Sequence, residues 1–140
     1  MAEWESVLPK LKLAYAAWSE SKGKSIETWL ALCGEEIDFR SLASGGHNVP
    51  WTCNWTTRQG VRAYLEGLTA QFQMEHFTVE RFVCQDDTIV VISETAWKNP
   101  RTGRRIDTPK VDVWKFKDGK AVGFQEFYDT ANVAQAAAAA

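Results

Sequence analysis

The stretch VDVWKFKDGKAVGFQEFYDTA, at residues 111–131, constrains the fold more than any other part of the chain. Two runs rich in aromatic and β-branched residues flank an Asp-Gly dipeptide, which favours the tight turn of a β-hairpin. Alternation along the first run places Asp112 on the same face as Trp114 and Phe116. An ionised carboxylate in a packed apolar core is costly unless it is paired or neutralised. We therefore expect this face to have a role other than filling a core.

The length of the hairpin loop decides which residues of the last strand share a face with Asp112. A two-residue turn would pair Phe116 with Ala121 and would turn Glu126 away from that face. A three-residue loop, with its Gly as a bulge, would pair Phe116 with Lys120 instead. We favour the three-residue loop because it builds one coherent aromatic face that also carries Glu126. The pairs it predicts are Trp114 with Val122, Asp112 with Phe124, Lys110 with Glu126, and Thr108 with Tyr128.

The rest of the chain predicts three helices followed by a sheet. Apolar spacings of three and four residues mark a helix within residues 4–22, and Pro9 places its start at one of the two preceding residues. Ser25 and Thr57 are good caps for two further helices, and the segment between these helices contains a strand-like alternation. The remaining strands are predicted in HFTVERFVCQ, TIVVISETAWK, RRIDTPKVDVWKFK and KAVGFQEFYDT. We expect an α+β fold with the helices packed on a curved, mostly antiparallel sheet.

The length of 140 residues suits one domain, which we place at residues 1–133. The Ala-rich tail at 134–140 is low in complexity and is expected to carry no fold information. No apolar run reaches the ~20 residues of a membrane span, and the N-terminus lacks the form of a signal peptide. These features predict a cytoplasmic protein with no membrane partner.

Charge and composition narrow the classes of function. The net charge of −2 arises from interspersed signs, so the chain offers no basic stripe to nucleic acid. Two separated His and three scattered Cys have no ligand spacing, so we expect no metal and no other cofactor. Seven Trp residues exceed what packing alone needs and indicate a site for a small hydrophobic molecule.

Nearly the whole chain, roughly residues 7–131, resembles the nuclear transport factor 2-like superfamily, in its ketosteroid-isomerase-like and SnoaL-like polyketide cyclase branch. The likeness is carried by the helix-helix-strand order, a Gly/Asn/Pro loop, a helix opening TTRQGVRAYLEGL, and the ending VDVWKFKDGKAVGFQEFYDTA. The resemblance implies a cone-shaped α+β barrel with a hydrophobic pocket between sheet and helices. It also implies a homodimer through the outer sheet face, which includes Val111, Val113, Gln125 and Phe127. Because this scaffold hosts several reactions and simple binders, the reaction does not follow from the fold.

The resemblance implies roles for individual residues. Ketosteroid isomerase is the known case of an Asp held neutral by an apolar site, and a Tyr on its first helix assists that Asp in binding the substrate oxygen. Tyr15 and Asp112 stand at the matching positions of this chain. The general base of those isomerases would fall at or near Ser41, which departs from the pattern. SnoaL-like cyclases place an acid in the middle of the last strand, where this chain has Glu126.

The sequence thus predicts a small cofactor-free enzyme that abstracts a proton α to a carbonyl, giving isomerisation or aldol-type cyclisation. Glu126 would be the base, while Tyr15 and Asp112 would bind the enolate oxygen. A binding module with the same pocket and no chemistry is the alternative, in which Lys110 pairs structurally with the acids and Tyr15 is a core residue. The residues expected to contact the substrate are His47, Trp51, Trp55, Trp97, Lys110, Trp114, Phe124 and Tyr128.

Overall fold

The structure is a computed structural model that describes residues 1–139. Its helices are α1 (Glu3–Glu20), α2 (Ile26–Leu32), α3 (Arg58–Gln71) and α4 (Thr130–Ala137), with a single 3₁₀ turn at Pro50–Thr52. Its strands are β1 (Cys33–Ser41), β2 (Trp55–Thr57), β3 (Gln73–Gln85), β4 (Thr88–Lys98), β5 (Arg105–Lys117) and β6 (Lys120–Phe127). No helix within residues 1–139 combines the length and the apolar character needed to cross a membrane.

The six strands form one curved sheet in the order β2-β1-β6-β5-β4-β3. All neighbouring pairs are antiparallel except β1 and β6, which run parallel. The long connection that a parallel pair needs is supplied by α3 and the four strands between them in the chain. The sheet is not closed, since β2 and β3 remain its two edges. The predicted α+β class, with helices on a mostly antiparallel sheet, is confirmed.

The first helix begins earlier than predicted. α1 starts at Glu3, so Pro9 lies inside the helix rather than in its first turn. Contacts with two hairpin turns stabilise this early start: Trp4 N donates to Asp86 O at 3.1 Å, and Asp118 N donates to a Glu3 carboxylate oxygen at 2.9 Å. These tertiary hydrogen bonds offset the loss of the hydrogen bond within α1 that Pro9 cannot donate.

The third helix follows the sequence prediction. Thr57 Oγ1 accepts a hydrogen bond from Gly60 N at 3.1 Å, as expected of an N-cap residue. The buried face of α3 contains Val61, Tyr64 and Leu65, spaced by three and one residues. This face packs over the concave side of the sheet and positions the Tyr64 phenol toward β6.

The turn of the β5-β6 hairpin is the two-residue form, so the predicted three-residue loop is wrong. Asp118 and Gly119 have φ values of 52° and 81°, and Phe116 pairs with Ala121. Two consecutive residues with positive φ match the twist of a hairpin, and the Asp-Gly dipeptide accommodates them at low cost.

A bulge after this turn restores the face that the two-residue turn alone would have reversed. Val122 is the additional residue of β6, because the pairing shifts by one residue between Phe116 and Lys115. Beyond the bulge, the pairs are Lys115 with Gly123, Trp114 with Phe124, Asp112 with Glu126, and Val111 with Phe127. The four predicted pairs are therefore wrong, although Asp112 and Glu126 do share one face.

The fourth helix occupies a segment for which the sequence predicted no structure. Asp129 caps α4 by accepting a hydrogen bond from Asn132 N at 3.0 Å, and alanine has the highest helix propensity. Ala136 is buried against the domain. The expectation for the tail 134–140 is thus wrong as far as the helix extends, and Ala140 lies outside the described residues.

Candidate functional site

A cavity of about 100 Å³ lies between the concave face of the sheet and the helices. Its wall is mainly aromatic and aliphatic. An apolar cavity of about 150 Å³ can hold benzene, so the smaller space here encloses only part of a ligand with one ring. The cavity wall contains all three predicted catalytic residues and six of the predicted contact residues, namely Trp51, Trp97, Lys110, Trp114, Phe124 and Tyr128.

The structure does not bring the other two predicted contact residues to the cavity. His47 is exposed on its loop and has a left-handed backbone with φ of 56°. The Trp55 ring packs on Gly60, where an added Cβ would lie 2.9 Å from the ring. Trp55 Nε1 donates to Trp51 O at 2.9 Å, so Trp55 supports the cavity wall from outside.

Asp112 forms part of the cavity wall within a hydrogen-bonded chain that starts at Trp114. Trp114 Nε1 donates to the Tyr15 hydroxyl at 2.8 Å, and that hydroxyl donates to Asp112 Oδ2 at 2.5 Å. Asp112 is only 2 % exposed, which removes its carboxyl group from bulk solvent. The single proton of the Tyr15 hydroxyl is consequently engaged with Asp112.

Glu126 occupies the equivalent position on the neighbouring strand and is also 2 % exposed. Its Oε2 accepts a hydrogen bond from the Tyr64 hydroxyl, and its Oε1 lies 3.0 Å from Lys110 Nζ. Lys110 Nζ also donates to Asp112 Oδ1. Each of the four carboxylate oxygens therefore has a protein partner. The contacts form a chain that runs from Tyr15 through Asp112, Lys110 and Glu126 to Tyr64. We call these five residues the acid-lysine cluster.

Burial and mutual charge shift the pKa values in the acid-lysine cluster. Burial raises the pKa of Asp112, and the Glu126 charge adds to this, although Lys110 opposes it. Burial alone would lower the pKa of Lys110, but the charges of Asp112 and Glu126 outweigh it and raise that pKa. Burial raises the pKa values of Tyr15 and Tyr64 well above their ordinary value of 10.0, and the charges of the neighbouring acids contribute a smaller increase. Lys110 is therefore protonated at physiological pH, and both phenols are neutral there.

A second polar contact lies beside the cluster. The Tyr128 hydroxyl is 2.5 Å from Ser41 Oγ and accepts a hydrogen bond from Ala43 N at 3.3 Å. Burial raises the pKa of Tyr128 to about 12, and the Glu126 charge contributes. Ser41, the position that corresponds to the isomerase base, therefore orients a phenol of the cavity wall.

Sequence reasoning did not identify Tyr64 as a site residue, because it was treated as one member of an apolar helix face. A phenol on a buried face needs a hydrogen-bond partner, and this requirement was the available signal. The wall also includes Val133 from α4, a helix that no periodic pattern in the sequence predicts.

The other reactive groups do not form a second centre within residues 1–139. Among those residues, no three His, Cys, Asp or Glu side chains gather in a way that could hold a metal ion. Cys33 lines the cavity, and burial raises the pKa of its thiol to about 11. Cys33 is therefore a neutral thiol at physiological pH.

A curved open sheet whose concave face and covering helices enclose a cavity defines the NTF2-like class of folds. The chain belongs to the SnoaL-like domain family, whose family model matches residues 12–124. This match includes Tyr15, Lys110 and Asp112 but ends before Glu126. No curated protein sequence is significantly similar to the chain.

Solved structures share the fold at low sequence identity. An NTF2-like protein from Burkholderia thailandensis is 20 % identical, with 99 % of each chain covered and a TM-score of 0.78. A protein assigned as a SnoaL-like polyketide cyclase from Jannaschia is 15 % identical, covering 94 % of this chain and 92 % of that chain, with a TM-score of 0.74. TerC, crystallised with polyporic acid, is 16 % identical, covering 93 % and 96 %, with a TM-score of 0.75. These similarities establish the fold alone.

Proposed function

We propose that the protein binds a small hydrophobic carbonyl compound in its cavity and transfers a proton at the carbon α to that carbonyl. The observation that carries this proposal is the convergence of two buried acids, Asp112 and Glu126, on an otherwise apolar cavity. Buried acids with perturbed environments are rare outside functional sites, because an unused carboxylate is better placed in water.

Glu126 is the proposed base. Its Oε1 lies 3.0 Å from Lys110 Nζ, and the side chain lines the cavity. Asp112 is the proposed acid beside the substrate oxygen, since burial raises its pKa and favours its neutral form. It would donate to that oxygen once Tyr15 releases Oδ2. Tyr15 acts through Asp112, because its hydroxyl already donates to that carboxyl group. Removal of the proton gives an enolate, from which isomerisation or aldol-type cyclisation proceeds.

The proposal is tested by α-hydrogen exchange of an aromatic ring ketone such as 2-indanone in D₂O, followed by ¹H NMR. We expect Glu126→Gln to slow the catalysed exchange by about 10²- to 10⁴-fold, the contribution of a general base. Glu94→Gln, on the exposed side of β4, is the matched control and should exchange at the wild-type rate. Equal exchange rates in wild type and Glu126→Gln would reject the proposed base.

A second function is supported by one specific observation. All four oxygens of Asp112 and Glu126 already have protein partners, as in a static network that shapes a binding cavity. The protein would then bind a hydrophobic ligand without chemistry. In that case ring ketones would bind without exchange, and Glu126→Gln would leave their affinity unchanged.

A further inference from the structure

Lys110 lies between the two acids, and its ammonium group has more hydrogen-bond donors than these acids accept. Its Nζ donates to Asp112 Oδ1 and lies 3.0 Å from Glu126 Oε1. An ammonium group has three N–H donors, so these two acceptors leave one N–H over. Among residues 1–139, Lys110 Nζ makes no other hydrogen bond and no other ion pair.

The surroundings of Lys110 leave its ammonium group largely shielded from bulk water and beside the cavity. The side chain is 15 % exposed and lines the cavity. The rings of Phe77 and Phe124 each have their centroid 5.6 Å from Nζ. Aromatic faces attract a cation and displace water, but they do not replace an oxygen acceptor. A ligand oxygen in the cavity would fill this position.

The two phenols of the acid-lysine cluster are less available than Lys110. Tyr15 donates its proton to Asp112, and Tyr64 donates its proton to Glu126. Either phenol would have to break a hydrogen bond to an acid before it could donate to a ligand. Lys110 can donate without any rearrangement of the cluster.

We propose that Lys110 is a catalytic residue whose free N–H binds the substrate carbonyl oxygen and stabilises the enolate oxygen formed when Glu126 removes the α proton. This inference rests on the proposed function. In the step, the C–H bond breaks and its proton forms an O–H bond on Glu126. The electron pair of the C–H bond forms the C=C bond, and the carbonyl π pair moves to the oxygen.

Charge balance explains why a lysine between two acids suits this step. A base must be deprotonated before it accepts the α proton, so in this step Glu126 starts as an anion beside the Lys110 cation. Proton transfer moves the negative charge from Glu126 to the ligand oxygen, and Lys110 adjoins both positions. No net charge is created in the apolar cavity, where an uncompensated charge would be costly. The ligand class is therefore a hydrophobic compound whose oxygen becomes anionic by losing a proton to Glu126, such as an enolisable ketone or an acidic phenol.

The test uses 4-nitrophenol, whose yellow anion reports ionisation directly by its absorption. The matched probe is 4-nitrotoluene, which has a similar shape but no acidic proton. At a pH below the pKa of the free phenol, we expect wild-type protein to bind 4-nitrophenol and to develop the absorption of the bound anion. The phenol proton would pass to Glu126, as the α proton of a substrate would.

Lys110→Met removes the charge while keeping an unbranched apolar side chain. We expect it to lose the anion absorption and to bind 4-nitrophenol about 10- to 100-fold more weakly, the range for a hydrogen bond to a charged group. Its affinity for 4-nitrotoluene should stay at the wild-type value. Lys115→Met, at an exposed position of the same strand, should retain the anion absorption.

The outcomes separate this inference from the proposed function. If wild type binds neither probe, the binding cavity itself is refuted, and the inference with it. If both probes bind and Lys110→Met retains the anion absorption, only the role of Lys110 is refuted. Should Lys110→Met fail to fold, ¹⁵N NMR of wild type decides: 4-nitrophenol, and not 4-nitrotoluene, must shift the Lys110 Nζ resonance. An equal response to both probes would overturn the inference.

Discussion

Replacing Tyr15 with Phe removes one oxygen atom that takes part in two buried hydrogen bonds. The Tyr15 hydroxyl donates to Asp112 Oδ2 and accepts from Trp114 Nε1. A bond to an ionisable group is worth about 1.5 to 3 kcal/mol, and a neutral bond about 0.5 to 1.5 kcal/mol. We therefore expect Tyr15→Phe to lower the free energy of unfolding by about 2 to 4 kcal/mol. Small domains have about 5 to 15 kcal/mol in total, so the variant should remain folded.

The same substitution has a predictable effect on the acid. Burial holds the pKa of Asp112 above its ordinary value, and the hydrogen bond from Tyr15 opposes that shift. Without this bond the anion is less stabilised, so the pKa of Asp112 should rise further. The side chain must titrate at a higher pH in Tyr15→Phe than in wild type.

Two measurements check these effects. Urea unfolding followed by Trp fluorescence gives the change in stability, because Trp114 and other buried indoles report on the core. A ¹³C NMR titration of the Asp112 carboxyl gives its pKa in each protein. Tyr128→Phe is the control for the titration, since the Tyr128 hydroxyl makes no contact with Asp112. A stability loss below about 0.5 kcal/mol, together with an unchanged Asp112 titration, would refute the hydrogen-bonded chain.

Two further predictions concern pH and assembly. The pKa of Asp112 in the folded state lies above its ordinary value of 3.8. The stability contributed by its protonated form is therefore fully present below pH 3.8 and is lost as the pH rises through the pKa of the folded state. Urea unfolding across a pH series should therefore show wild type losing stability relative to Asp112→Asn as pH rises, whereas a constant difference would contradict this. The outer face of β5 and β6 carries Val113 and Phe127, the latter 41 % exposed, and we propose that it joins two copies of the chain. Light scattering should find a dimer for wild type and a monomer for Phe127→Glu, because a two-fold interface would bring the two new charges together. A monomeric wild type would disprove the interface.

The fold followed from the sequence where local patterns decide it. The α3 cap at Thr57 and the four long strands rest on short-range signals that tertiary contacts do not override. The start of α1 was missed because its first turn depends on contacts with Asp86 and Asp118, which are distant in sequence. The helix α4 was missed because an Ala-rich segment has high helix propensity but no periodic pattern to indicate which side it buries.

The candidate site was likewise predicted only where a local sequence pattern determines the position of a residue. Alternation along β5 placed Asp112 beside Trp114, and the structure puts both in the cavity wall. The partnership of Tyr64 with Glu126 joins residues 62 positions apart, and no local pattern encodes such a pair. The central place of Lys110 also depends on the exact register of β6, which the hairpin length alone did not determine.

The bulge at Val122 gives this site a sensitivity to insertion and deletion that its buried residues do not suggest. Removing Val122 itself would leave Glu126 opposite Asp112, but because side chains alternate along a strand, removing one residue while the bulge persists would rotate the acid onto the outer face. Such a chain could keep the turn, the sheet order and the aromatic composition, yet it would lack the proposed base. The pairing with Asp112, and not the number of residues after the turn, therefore decides whether an acid in β6 faces the cavity.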